Sequence, residues 1–171
     1  MGRDRDGELL LGEWACLGIL YQGPTHGFAI AARLKPSGDV GRVWSLSRPL
    51  TYRSLDQLVE RGLAHAVGEE RGLAGGNRTI HAATRTGRAR FRRWLATPVP
   101  HLRDLRSELL LKLVLAEQCG IDVGAMLDRQ RDVITSISSA LADGTDDDVV
   151  TMWRRESSEA ALRFLDAVRA S

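Results

Sequence analysis

The stretch Thr51-Tyr52-Arg53-Ser54-Leu55-Asp56-Gln57-Leu58-Val59-Glu60-Arg61-Gly62-Leu63 limits the folds open to this chain more than any other. From Leu55, the positions Leu58, Val59 and Gly62 fall on one side of a helix, while Arg53, Gln57 and Glu60 fall opposite. Ser47 is a fitting cap and Pro49 is tolerated in a first turn, so this helix starts near Ser47. Gly62 stops it. Residues 64–70 and 78–84 then read as short strands joined by Arg71-Gly72-Leu73-Ala74-Gly75-Gly76-Asn77, whose glycines favour a hairpin. A one-striped helix followed by a ribbon with arginine near its tip is the order of a winged helix.

The segments on either side fit that order. Residues 8–22 predict a first helix, with Leu10, Trp14, Leu17 and Tyr21 recurring at helical spacing. Gly23-Pro24 ends it, and Thr25 is placed to cap a second helix reaching about Leu34, with Phe28, Ile30, Ala31 and Leu34 inward. Residues 35–42, with Pro36, Gly38 and Gly41, read as a loop. Thr84 or Thr86 starts a fourth helix to about Ala96, and Pro98 and Pro100 mark a domain boundary.

Behind that boundary the chain reads as helical. Leu102, Leu105, Leu109, Leu113 and Ala116 form one stripe; Met126, Val133, Ile134, Ile137 and Leu141 form a second. After Gly144-Thr145 the triplet Asp146-Asp147-Asp148 suits the positive end of a last helix, which shows Trp153, Ser157, Ala160, Phe164 and Val168 on one face. Helices this amphipathic, with no compact domain of their own, are expected to bury their stripes against a partner chain. The fold expected is therefore mainly α with a small β-hairpin wing. A winged helix-turn-helix domain (1–97) precedes a C-terminal helical dimerisation region (98–171).

Charge follows the same division. Residues 1–97 hold 15 Arg and Lys against 9 Asp and Glu, a net of +6, whereas 98–171 hold 9 against 13, a net of −4. A basic front suits a nucleic-acid partner. The start Met1-Gly2-Arg3-Asp4-Arg5-Asp6 is too charged for a secretory signal, and the apolar run at 9–20 is broken by Gly12 and Glu13 and too short for a bilayer. A cytoplasmic protein with no membrane partner is expected.

At this point the residues resemble a family. Gly23-Pro24-Thr25-His26-Gly27-Phe28 is similar to the Gly-Pro-x-His-Gly-Tyr signature of the PadR winged-helix transcriptional regulators. Tyr52-x-x-Leu55-x-x-Leu58-x-x-x-Gly62-Leu63, Arg78, Thr84-x-x-Gly87-Arg88 and Trp94-Leu95 continue the likeness. Residues 103–116, including Leu110-Leu111-Lys112-Leu113, look like the opening of the multi-helix C-terminal domain found in one branch. The chain departs from the pattern at Arg53, where proline is common, and at His81 and Ala83 in the second wing strand. The resemblance implies a DNA-binding regulator, a repressor, acting as a homodimer on a near-palindromic operator. Some members of that family bind flat aromatic effectors at the dimer centre, and by resemblance Trp14 or Trp153 would line such a cavity here.

The residues expected to meet double-stranded DNA follow from the third helix and the wing. Arg53 and Gln57 project one turn apart and are suited to bidentate contacts with base edges. Arg48, Thr51 and Ser54 are placed for phosphate or base contact, and Tyr52 for an inward ring with its hydroxyl on a phosphate. Arg71, Asn77 and Arg78 flank the wing tip, where Gly72, Gly75 and Gly76 permit close approach. Arg88, Arg90, Arg92 and Arg93 read as a solvated face. The homodimer interface is expected at Leu105, Leu109, Leu113, Trp153, Ala160, Phe164 and Val168.

Catalysis finds no support: there is no phosphate loop, nucleophile elbow or paired His/Glu spacing, so no enzyme and no cofactor are expected. His26 reads as a cap or packing residue. His65 and His81 are expected as neighbours across the hairpin, without the further ligands a zinc ion needs. Cys16 and Cys119 read as two buried reduced thiols. The competing reading is a winged-helix module that docks a protein and has no operator.

Overall fold

The computed structural model describes residues 8–72, 76–144 and 148–170. The chain runs α1 (Leu11–Gln22), β1 (Thr25–His26), α2 (Gly27–Leu34), α3 (Arg48–Glu60), β2 (Ala64–Arg71), β3 (Asn77–Ala83) and α4 (Arg85–Leu95). It continues with a short irregular helical lead (102–109), α5 (Leu110–Cys119), α6 (Gly124–Asp143) and α7 (Val149–Ala170). Three helices, a hairpin and a closing helix make a winged helix; the remaining helices stand behind it. Gly75, Thr145, Asp146 and Asp147 lie outside the described residues.

α1 is the axis of the front half. Every residue from Gly12 to Tyr21 is buried, so the helix is covered all round rather than along the one stripe its spacing predicts. α3, α4, α5 and β3 all pack on it. Leu10 stays outside at 73% exposure, and its backbone N–H donates to Glu13 Oε2 at 2.8 Å. Cys16 is buried here, and burial first, then the Glu13 charge, pushes its thiol up to about 12. Cys119 is half-buried and free, and its thiol is also raised by burial.

Local signals set the other elements. α2 is capped by His26, whose Nδ1 accepts from Ala29 N at 3.0 Å, and not by Thr25. Thr25 is drawn instead into β1, which pairs with His81 and Ile80, so the sheet has three strands in the order β1-β3-β2. α3 begins after Ser47 with Pro49 in its first turn, and the chain leaves it through Gly62 at φ +66°, a left-handed geometry that disfavours side chains. α4 begins at Thr84, whose hydroxyl accepts from Gly87 N at 3.0 Å. α7 follows Asp148, whose carboxylate accepts from Val150 N and Thr151 N; it is the described member of the acidic triplet.

Two apolar clusters result. The first joins α1 to α2, α3 and α4 through residues such as Leu17, Ile30, Leu58 and Phe91; the second gathers Val99, Leu109, Met126, Leu127, Ile134 and Leu165. Leu111, Leu115 and Ala116 of α5 belong to the first cluster, so packing crosses the boundary expected at 97/98. The intervening chain is held too. Buried Gln130 accepts from Val99 N at 2.6 Å and donates to Val99 O at 2.9 Å, and Lys112 Nζ donates to Thr97 O at 2.6 Å.

Several expected placements are corrected. Trp14 is 6% exposed and stacks flat on Trp94, with 4.7 Å between centroids and 7° between planes, so it is a core residue and not a wall of an effector site. Leu109 is 1% exposed, and its own chain already packs it into the second cluster. Arg88 and Arg92 are not simply solvated. Arg88 donates to Tyr21 O at 2.8 Å and lies 3.9 Å from its ring centre, and Arg92 Nε donates to Tyr21 Oη at 2.6 Å. His65 faces Ala82 and His81 faces Ala66 across the hairpin, which sends the two imidazoles to opposite sides of the ribbon.

Candidate nucleic-acid interface

α3 turns Thr51, Leu55 and Leu58 inward. Leu50, Arg53, Asp56, Gln57 and Glu60 follow on the opposite side by the helical repeat. Arg53 is exposed and makes no hydrogen bond or ion pair with the described residues. Gln57 is half-buried and donates to Glu60 Oε2 at 2.8 Å, a bond it would exchange for one to a base at small net cost. Leu50 is 49% exposed in the same row, an apolar group that a search for hydrogen-bonding side chains passes over.

Thr51 does not belong to that face. It is fully buried, and its hydroxyl returns to Ser47 O at 3.0 Å, so its expected phosphate or base contact is withdrawn. Ser54 is half-buried with its Oγ turned toward Gly12 of α1. Tyr52 keeps one edge against Gly27, where any Cβ would come within 2.6 Å of its ring, and stays 38% exposed on the other. Only glycine at position 27 lets α2 and α3 close on that ring.

The flank between α3 and the wing is built around a residue expected inside. Phe28 is 43% exposed, and two guanidiniums lie over its ring: Arg48 at 5.0 Å from the centroid and Arg78 at 4.8 Å. Arg48 is also 6.0 Å from the Tyr52 ring. Neither arginine has an ion pair among the described residues. A signal for Phe28 existed: the buried positions of α2 are Gly27, Ile30 and Leu34, and residue 28 falls one place off that stripe.

The wing carries the remaining groups. Arg71, at the end of β2, and Asn77, its partner across the hairpin, are exposed. Asn77 Nδ2 donates to Glu69 Oε2 at 2.8 Å, and His26 Nε2 lies 3.6 Å from Glu70 Oε2. Gly72 N donates to Gly76 O at 2.8 Å, which draws the strands together below the tip. Arg48 and Arg78 thus meet at one ring, Arg53 is exposed on α3 and Arg71 at the end of β2, and the same two elements, α3 and β2, carry three carboxylates, those of Glu60, Glu69 and Glu70. Each carboxylate has a polar neighbour from the set Gln57, Asn77 and His26.

The rear helices expose apolar surface. Val149, Val150, Met152 and Trp153 at the start of α7 are 54–77% exposed, and Phe164 is 39% exposed. Phe164 and Ala160 border a hollow of about 300 Å³ with Leu105 and Leu110, its lining almost wholly apolar. Leu113 and Val168 are half-buried and pack against the second cluster. Trp153 lies on an open groove of about 910 Å³ with His101, Arg103, Arg106 and Arg154. Among the described residues no helix is long and apolar enough to cross a membrane, and no group of three or more His, Cys, Asp or Glu could hold a metal ion.

No protein-family model matches the chain. No curated protein matches it either. Among solved structures it is similar to PadR of Bacillus subtilis in complex with operator DNA, at 17% identity and a TM-score of 0.48, covering 92% of this chain and 97% of that one. It is also similar to Bacillus subtilis PadR in a second crystal structure, at 17% identity and a TM-score of 0.44, covering 99% and 97%. Likenesses this distant leave the partners of this chain to its own residues.

Proposed function

We propose that the chain is a PadR-like transcriptional regulator that binds double-stranded DNA through α3 and the wing. The observation that carries this reading is the outward row of Leu50, Arg53 and Gln57, flanked by Arg48 and Arg78 where helix and wing meet. An exposed helix of this length fits a major groove. Arg53 and Gln57 supply the bidentate donors that distinguish guanine and adenine edges, and Leu50 offers an apolar contact for a thymine methyl group. Arg48, Arg71 and Arg78 supply charge for phosphates, with Tyr52 and Asn77 as neutral hydrogen-bonding groups beside them, while Ser54 would reach DNA only by turning its hydroxyl away from α1.

The protein acts as a homodimer on a near-palindromic operator, as a repressor. The exposed apolar start of α7, together with Phe164, Ala160 and Leu105 around their hollow, supports a second copy as the cover, with Leu113 and Val168 at its margin. Two reading helices related by a two-fold axis would then meet half-sites about one helical turn apart. Trp153 offers an exposed ring for an aromatic effector. Such a molecule releases DNA only if it binds the DNA-incompetent arrangement better.

The test is affinity for DNA from upstream of the gene, measured against salt and unrelated competitor. The reading expects an affinity that falls steeply with salt and survives the competitor. A protein-docking module without an operator would show no preference over the competitor.

A further inference from the structure

We propose that Phe28 is a positioning residue for DNA binding: its exposed ring holds Arg48 of α3 and Arg78 of β3 together, so that reading helix and wing engage the backbone as one unit. The inference rests on the DNA-binding reading above.

The geometry is unusual for a residue in a helix that otherwise faces inward. Phe28 exposes 43% of its surface although it is among the most apolar side chains available, and its neighbours Gly27 and Ile30 are buried. What it meets are two cations from separate elements, at 5.0 and 4.8 Å from the ring centre. A ring face attracts a guanidinium through its quadrupole, and both distances are within the range where that attraction operates. Two like charges gathered at one ring repel each other, and neither has a carboxylate among the described residues to offset this. A phosphate would remove that repulsion. The free domain therefore holds two donors ready for an anion and the ring that orients them, which lowers the ordering cost when the anion arrives.

The ring also adds a side-chain link to elements that already pack on one another. β3 is joined to β1 at His26, and His26 caps the helix that carries Phe28, so the ring sets the directions of Arg78 and Arg48 on a backbone frame that is already closed. Loss of the ring leaves both charges in place but frees their directions.

The experiment measures affinity for a duplex enriched from a random-sequence library by the wild-type protein, across a salt series. The variants are Phe28→Leu, Phe28→Tyr, Arg48→Ala/Arg78→Ala, and the triple variant. Phe28→Leu is expected to weaken binding roughly tenfold, with its unfolding midpoint close to wild type because the site is exposed. Phe28→Tyr, which keeps the ring, should bind as wild type does. In the Arg48→Ala/Arg78→Ala background, Phe28→Leu should cause no further loss. Should Phe28→Leu unfold the domain, Phe28→Met takes its place. Wild-type affinity in Phe28→Leu beside a loss in Arg48→Ala/Arg78→Ala would overturn the role of Phe28 and leave the DNA reading standing, as would additive losses in the triple variant. If none of these variants weakens binding, this inference falls together with the phosphate roles of Arg48 and Arg78.

Discussion

Lys112 Nζ lies 3.0 Å from Glu108 Oε1, one turn earlier on the same helical run, and is 1% exposed. It also donates to Thr97 O and sits 5.0 Å from the centre of the Trp94 ring, while Trp94 Nε1 donates to the same Glu108 oxygen at 3.1 Å. A lysine therefore joins the last turn after α4 to the start of α5, at the seam between the two clusters. Burial holds its ammonium below the ordinary lysine range, and the Glu108 charge opposes that shift only in part.

Two substitutions separate volume from charge at this seam. Lys112→Ala removes most of a buried side chain and should cost about 2–5 kcal/mol. Lys112→Met keeps the volume and should retain about 2 kcal/mol of that; urea unfolding measures both. The folded pKa is lowered from 10.5, so the unfolded chain binds the proton more tightly between the two values. The lysine's contribution is then complete above 10.5 and is lost as pH falls through the folded pKa. Wild type should gain on Lys112→Met as pH is raised toward 10.5.

Tyr21 anchors α4 through two arginines, and its own ring lies 5.1 Å from that of Phe91. Tyr21→Phe removes only the hydroxyl that accepts from Arg92 and should cost about 1–2 kcal/mol. Tyr21→Ala also removes the ring beneath Arg88 and should cost about 3–5 kcal/mol. Thermal unfolding distinguishes the two steps; equal losses would show that the ring contributes little.

Asp148 opens α7 by accepting from two backbone N–H groups and from Thr151 Oγ1. Those bonds hold its carboxyl below the usual range, the Thr151 N–H most. The cap is therefore present above the unfolded value and is lost as pH falls through the lowered folded value. Hydrogen exchange at Val150 and Thr151 should quicken in Asp148→Ala at neutral pH, and in wild type only under strongly acid conditions.

Trp153 reports on the proposed dimer. At 72% exposure, against 6% for Trp14 and 8% for Trp94, it should dominate the emission that acrylamide quenches in a dilute, monomeric sample. Quenching should fall as concentration rises through the dimer range, and this change should vanish in Trp153→Phe. Quenching independent of concentration, with a monomer found by sedimentation, would rule out α7 as the contact.

The sequence made α3 legible because its ends carry strong signals. Ser47 and Pro49 start it, and the chain leaves it through Gly62. What it hid were cases where polarity and position disagree. Thr51 looks like a surface residue, but its hydroxyl is satisfied by the carbonyl one turn back, which lets it be buried. Phe28 looks like core, yet two guanidiniums give an exposed ring its partners. β1 is two residues long, too short for any alternation to announce it. Trp14 and Leu109 lie on stripes that read equally well as core or contact surface; the stack on Trp94 takes Trp14 into the core, and the second cluster takes Leu109.

The most direct test of DNA reading by α3 is the base preference of the full-length protein, profiled by selection from a random duplex library beside Arg53→Ala and Gln57→Ala. The expected result is a two-fold-related preferred site in which each variant relaxes discrimination at its own base positions, by about 1–3 kcal/mol for each side-chain-to-base pairing removed. An unchanged profile in both variants would contradict the assignment of α3 as the element that reads DNA.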